Sequence, residues 1–162
     1  PKSSGTGYNV LKAYVNTYGE EAAFAYFDQL APNVLAFTSS GSGPVNALIQ
    51  EESAIGLGMT AQAVTAINEG TALDIYLFEE GTPYTVYGQA MIKGKETKPA
   101  VKQVFDFMIN TINAENNELF YPEQIFKDKV NMIENYPSDI TYCDMKNNTN
   151  TEKERLLDMW KY

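Results

Sequence analysis

The chain contains no histidine and a single cysteine, Cys143. Histidine is the commonest general base and zinc ligand, so its absence removes the usual catalytic triads and most zinc sites. One cysteine permits neither an internal disulfide nor a Cys-x-x-Cys site. Because most familiar catalytic groups are missing, we expect a binding protein that is not an enzyme and has no catalytic residues, no cofactor and no metal site.

Positive charge is also scarce. The 162 residues include 12 lysines and arginines against 21 acidic residues, which gives a net charge of −9. Nucleic-acid binding depends on clustered basic side chains, so we expect no nucleic-acid partner. The sequence also lacks the run of about 18 apolar residues that a membrane-spanning helix needs. Since 44% of the residues are apolar, the chain can still bury a core.

The apolar residues follow an alternating pattern along the chain. Helical spacing predicts helices over 8–18, 20–30, from 44, over 60–69, 99–112 and 152–160, with a turn at 113–117. Short apolar runs predict buried strands at 34–38, 54–59 and 73–78. This alternation predicts an α/β fold, a three-layer sandwich in which helices flank a largely parallel sheet.

The same pattern predicts three regions. Residues 1–86 form an α/β ligand-binding lobe, 87–148 hold a crossover and helical segments broken at Pro122 and Pro137, and 149–162 form a C-terminal helix. The first residues read as a loop that enters a helix. We therefore expect further polypeptide upstream of Pro1, including a strand that leads into this loop.

Two loops rich in glycine and hydroxyl side chains each precede a predicted helix. They are Ser-Ser-Gly-Thr-Gly at 3–7 and Thr-Ser-Ser-Gly-Ser-Gly-Pro at 38–44. Exposed N–H groups and hydroxyls at a helix start bind phosphate, phosphonate or carboxylate, although an ordinary helix cap explains either loop alone. Loops that follow strands of one parallel sheet lie at the same edge. The sequence therefore predicts a site for a polar or anionic ligand, formed by Ser4, Gly5, Thr6, Ser39, Ser40 and Gly41.

A third candidate segment follows the last predicted strand, with the sequence Glu-Glu-Gly-Thr-Pro-Tyr at 79–84. Its Gly-Thr-Pro turn is either a hinge or a ligand-lining crossover, and its paired acids either face a cation or are solvated. No calcium-binding loop pattern accompanies the acids. We include Glu80, Thr82 and Tyr84 among the candidate ligand-binding residues, with Tyr84 in the wall of a cleft.

Taken in order, several runs resemble a known family. SSGTGY, SSGSGPVNALIQEESAIGLGM, EEGTPYTVYGQAMIKG and the terminal RLLDMW are similar to the C-terminal half of an ABC-transporter solute-binding protein. The group concerned binds ferric iron, phosphonates, thiamine and sugar phosphates. The chain departs from it in having no adjacent tyrosine pair for iron, and in carrying Glu51-Glu52-Ser53 where the family has Gly-Glu.

The resemblance implies one lobe of a two-lobed, type II periplasmic-binding-protein-like fold that closes on its ligand by a hinge. Residues 4–6 and 39–41 match the ligand-contact loops, and 80–82 match the crossover. The implied partners are a small solute (a phosphonate, phosphate ester or iron complex), the ABC permease subunits and a missing first lobe, which the segments in 87–148 would contact. The implied location is extracytoplasmic, either periplasmic or lipid-anchored at the cell surface.

These observations predict the solute-binding component of an ABC importer, which captures a solute and delivers it to the permease. Two alternatives remain open. A ligand-sensing regulatory domain would use the same kind of lobe as an effector site, and a metal-dependent enzyme lobe would need a metal or a partner domain for chemistry.

Overall fold

A computed structural model describes residues 1–120 and 133–162. The chain divides into two units. The first combines Pro1–Thr85 with Pro137–Tyr162, and the second is Val86–Tyr136, in which 121–132 are not described. The described helices are α1 (Gly5–Tyr18), α2 (Glu20–Leu30), α3 (Gly43–Ile49), α4 (Thr60–Asn68), α5 (Pro99–Phe107), α6 (Asn113–Phe120) and α7 (Asn150–Met159).

In the first unit, local signals set the bounds of α1 and α2. Ser4 has extended backbone angles, and its hydroxyl accepts a hydrogen bond from the N–H of Gly7, which caps α1. Gly19, at φ 85°, lies between the two helices in a conformation that favours glycine. Glu20 and Glu21 then occupy the first turn of α2, where negative charge is favourable. Both predicted helices are confirmed; α2 has the predicted bounds, and α1 begins three residues earlier than predicted, at Gly5.

The core of this unit joins its two separate stretches of chain. Tyr8 and Leu11 of α1 and Phe27 of α2 are buried against Leu156 and Trp160. The ring of Trp160 meets that of Phe27 edge-on, with centroids 5.2 Å apart. The C-terminal helix α7 is therefore part of the same core as α1 and α2.

In the second unit, α5 runs into a π-helical turn, Met108–Ile112, and then into α6. The predicted helix over 99–112 thus continues beyond its expected end, and the turn predicted at 113–117 is wrong. The Gln89 side-chain amide donates to the Asn113 side-chain oxygen at 3.0 Å at the start of α6. The predicted break at Pro122 lies outside the described residues.

The predicted α/β three-layer sandwich is wrong. Residues 1–120 and 133–162 contain helices and one isolated parallel bridge between Thr82 and Tyr142, but no strand or sheet. The segments at 34–38, 54–59 and 73–78 have no regular secondary structure. A short apolar run indicates only that the backbone prefers an extended conformation. A strand also needs a partner whose backbone completes the hydrogen-bond ladder. No such ladder forms among the described residues.

The resemblance to a type II solute-binding protein is corrected by the same finding. That family requires a largely parallel sheet in each lobe, and the described part of the chain is helical. The short motifs that carried the resemblance are mostly loop and helix-start sequences, and the terminal RLLDMW is the carboxyl end of α7. Glycine and hydroxyl residues are favoured at such positions in many folds, so their order along the chain did not establish this one.

Candidate functional site

The amino end of α1 carries the first group of predicted ligand-binding residues. Ser4 is buried, and its hydroxyl is already used to cap the helix. Gly5 and Thr6 form the first two helical positions. Among the described residues, no group accepts a hydrogen bond from their main-chain N–H groups. Two donors at the positive end of the helix dipole are therefore free to bind an anion.

The loop at 38–43 is held by its own hydroxyl groups. Thr38 Oγ1 donates to the Ser40 carbonyl at 2.9 Å, and the hydroxyls of Ser40 and Ser42 lie 3.0 Å apart. The N–H groups of Ser40 and Gly41 have no acceptor within the described part of the chain. Like the start of α1, this loop therefore presents main-chain donors beside hydroxyl side chains.

The structure brings these two loops together. A Cβ atom at Gly41 would lie 2.5 Å from Thr6 Oγ1 and 3.1 Å from Met59 Sδ. Only a residue without a side chain permits so close an approach of the backbone. We call this contact of Thr6, Gly41 and Met59 the loop junction. It includes the N–H groups of residues 5, 6, 40 and 41.

The third predicted segment lies elsewhere. Glu80 accepts a hydrogen bond from the hydroxyl of Tyr18, at the carboxyl end of α1. Thr6 and Tyr18 are twelve residues apart on one helix, so they are separated by roughly 18 Å along its axis. The structure thus places Glu80 near the end of α1 opposite the loop junction.

Thr82 and Tyr84 lie beside the C-terminal stretch of the first unit. The N–H of Thr82 donates to the Thr141 carbonyl at 2.7 Å, and the Cys143 N–H donates to the Thr82 carbonyl at 3.2 Å. The rings of Tyr84 and Tyr142 meet edge-on at 5.4 Å. Burial raises the pKa of the Cys143 thiol. These contacts give Thr82 and Tyr84 a structural role in joining residues near 82 to residues near 142.

A recess beside the carboxyl end of α1 has a volume of about 20 Å³, enough for one water-sized molecule. Val10, Tyr14, Tyr18, Phe78 and Glu80 are among its lining residues. The hydrogen bond from Tyr18 lowers the pKa of the Glu80 carboxyl, and burial together with Tyr26 raises the pKa of Tyr14. A recess of this size is too small for a phosphonate or sugar phosphate.

Sequence reasoning missed the ion pair between Lys12 and Glu152. Lys12 is 2% exposed, and its Nζ lies 3.3 Å from Glu152 Oε1. Arg155 also binds Glu152, and it pairs with Glu20 as well, at 2.6 Å. The hydrogen bond from Arg155, followed by that from Lys12, lowers the pKa of Glu152 to about 2. The two partners are 140 positions apart, so no local pattern in the sequence indicated the pair.

Sequence reasoning also missed Met59 at the loop junction. It precedes α4 and has extended backbone angles. Its sulfur lies 3.1 Å from the position that a Cβ atom at Gly41 would occupy, so Met59 forms one wall of the loop junction. The apolar run 54–59 did include Met59, but only as a residue of a buried strand.

The described residues form neither a cluster of metal-binding side chains nor a membrane-crossing helix. Residues 1–120 and 133–162 contain no group of three or more acidic or cysteine side chains that could hold a metal ion. Within the same ranges, no helix has both the length and the apolar character that a membrane crossing requires.

The chain is similar to a longer protein of known sequence. A Haemophilus influenzae protein described as an uncharacterized protein is 30% identical over 123 residues, which cover 76% of this chain and 35% of that protein. The chain therefore spans about a third of the length of the curated relative that it matches. No protein-family model matches the chain, and no solved structure matches it.

Proposed function

We propose that this chain binds a small polar or anionic solute at the loop junction and releases it unchanged. The observation that carries the proposal is the approach of Gly41 to Thr6, which sets two groups of free N–H donors and hydroxyls side by side. Backbone donors at a helix start attract phosphate, phosphonate and carboxylate groups through local dipoles. The net charge of −9 does not oppose this, because the dipoles act at short range.

Each residue at the junction has a part in this proposal. The N–H groups of Gly5 and Thr6 donate to one oxygen of the solute, and the loop with Ser40 and Gly41 donates to another. Thr6 Oγ1, which lies next to Gly41, donates from the contact between the two loops. Ser39 is exposed beside them and contributes its hydroxyl at the rim. Ser4 acts through the helix cap, because its side chain is already bound to the N–H of Gly7.

The wider role of the chain stays a prediction. Delivery of the solute to an ABC permease, and a location outside the cytoplasm, were implied by the family resemblance that the fold contradicts. Copurification of the longer protein with a permease, from membranes of the source cell, measures this directly. Solute binding at the loop junction stands independently of that result.

Calorimetric titration of the chain with inorganic phosphate, methylphosphonate and glucose 6-phosphate tests the proposal. Gly41→Ala adds a Cβ that meets Thr6, so we expect binding to weaken at least tenfold while the helical circular dichroism is retained. Thr6→Val removes one hydroxyl donor, and we expect an effect of about tenfold. Gly88→Ala is the matched control, because a Cβ there meets no atom within 4 Å.

Two outcomes would contradict solute binding at the loop junction. One is the absence of heat with all three probes at millimolar concentration. The other is a well-folded Gly41→Ala variant that binds as tightly as the unaltered chain, because the junction then takes no part in recognition.

A further inference from the structure

Three segments of the first unit expose large apolar side chains to solvent. They are 34–38, 54–59 and 73–78, which connect α2 to α3, α3 to α4, and α4 to the turn before Gly81. Leu35 is 66% exposed, Ile55 84% and Tyr76 86%. Single exposed apolar residues are normal in proteins, but here each connecting segment carries one.

Most main-chain N–H groups of these segments have no backbone acceptor among the described residues. Val34 donates to Ala31 and Leu73 donates to Thr71, which are turn contacts at the segment ends. Within the described residues, the N–H groups of 35–37, 54–58 and 74–77 donate to no backbone carbonyl. Free main-chain donors beside apolar side chains are the feature by which polypeptides recognise an extended partner.

The third segment also has two different faces. Leu73, Ile75 and Leu77 are half-buried, whereas Asp74 and Tyr76 are exposed. A period of two keeps alternate side chains on opposite sides of the backbone. One side is therefore already covered by the first unit, and the edge of the segment remains open for a partner.

We propose that these three segments are the docking surface for another region of a longer polypeptide to which this chain belongs. The length of the H. influenzae relative supports a further region of the same polypeptide as the partner. Its 123 matched residues are 35% of its length, so it has about 350 residues and about 230 of them lie outside the match. The contact is with that additional polypeptide and not between the three segments themselves.

Hydrogen exchange measured by mass spectrometry tests the docking surface. The samples are the 162-residue chain and the whole polypeptide encoded by its gene. In the chain alone, we expect the amides at 35–37, 54–58 and 74–77 to exchange at nearly unstructured rates. In the whole polypeptide, we expect exchange at the same amides to slow at least 100-fold.

Three results would overturn the proposal. They are equal exchange in both samples, a gene that encodes no further polypeptide, and protection that appears in the chain alone as its concentration rises. The last result, with a doubled mass in light scattering, assigns the surface to a second copy instead.

Charge substitutions provide a second measurement. Ile55→Asp and Tyr76→Asp place a carboxylate on residues that solvent already reaches, so we expect no change in the melting temperature of the chain alone. In the whole polypeptide the same changes lower it by about 5 °C or more, because the carboxylate is then buried. Asn46→Asp, exposed on α3, is the control and leaves both samples unchanged. Equal shifts in the two samples, or loss of folding in the chain alone, would contradict the docking surface.

Discussion

Lys12 carries its charge in the interior of the first unit. Its side chain is 2% exposed, and Glu152, at 3.3 Å, compensates the ammonium. A buried charge without a partner is strongly destabilising, so this pair ties α1 to α7 even though it adds little net stability over an apolar pair. Arg155 holds Glu152 in place from the solvent side and extends the network to Glu20. The network therefore fixes which face of α7 meets α1.

The lowered pKa of Glu152 predicts a loss of stability in acid. The hydrogen bonds from Arg155 and Lys12 lower its pKa in the folded chain from the ordinary 4.5 to about 2. The folded state therefore binds fewer protons than the unfolded state, and the stabilisation is complete above about pH 5 and is lost as the pH falls toward 2. We expect the free energy of unfolding to fall across this range in urea titrations, and Glu152→Gln to reduce the fall.

The control for this pH dependence is Glu154→Gln, which changes an exposed glutamate two positions away on the same helix. It should keep the pH dependence of the unaltered chain. If Glu152→Gln and Glu154→Gln give the same slope between pH 5 and pH 2, the ion pair does not cause the loss.

At the scale of elements, α7 depends on its amino-terminal cap. The Thr149 hydroxyl accepts a hydrogen bond from the N–H of Glu152 at 3.2 Å. Thr149→Ala leaves this donor without its partner, so we expect a loss of about 1 kcal/mol in the free energy of unfolding. Urea unfolding followed by the emission of Trp160, the single tryptophan, measures it. Thr151→Ala, exposed in the same first turn, should cost less than half as much; equal losses would exclude capping as the cause.

The helices show what the sequence predicts well. Ser4, Gly19 and Pro99 act on the backbone within a few residues. Local reasoning therefore located the starts of α2 and α5 at the observed residue and that of α1 to within three residues. The asparagine-rich stretch at the start of α6 was misjudged. Asparagine is only a moderately poor helix former, and adding residues to an existing helical run avoids the cost of a new nucleus.

The candidate site shows why the tertiary contacts could not be predicted from the sequence. The sequence predicted that the loops with Thr6 and Gly41 meet at a sheet edge. They do meet, but beside helix starts, and the described residues form no sheet, so their proximity has a different cause from the predicted one. Glu80 was assigned to the same place, yet its partner Tyr18 lies at the other end of α1. Contacts between residues distant in sequence decide both outcomes, and no local pattern encodes them.

At the scale of the whole molecule, the first unit is closed by residues from both ends of the sequence. Leu156 and Trp160 are almost fully buried against α1 and α2, and each apolar side chain of this kind contributes about 1.5–3 kcal/mol. Domains are stable by only about 5–15 kcal/mol. A chain that ends at residue 148 loses both side chains and also leaves Lys12 buried without Glu152. We therefore expect it to lose cooperative unfolding.

Near-ultraviolet circular dichroism and urea titration measure this loss, because the tyrosines of α1 and α2 remain as probes after Trp160 is removed. A chain that ends at residue 160 is the control. It lacks only Lys161 and Tyr162, whose side chains bind Asp28 at the surface, each at 2.7 Å. Exposed contacts of this kind contribute little, so the control should keep a sharp transition within about 1 kcal/mol of the intact chain. A sharp transition at an unchanged midpoint in the shorter chain would show that α1 and α2 fold without α7, and that the core does not need the two ends of the sequence together.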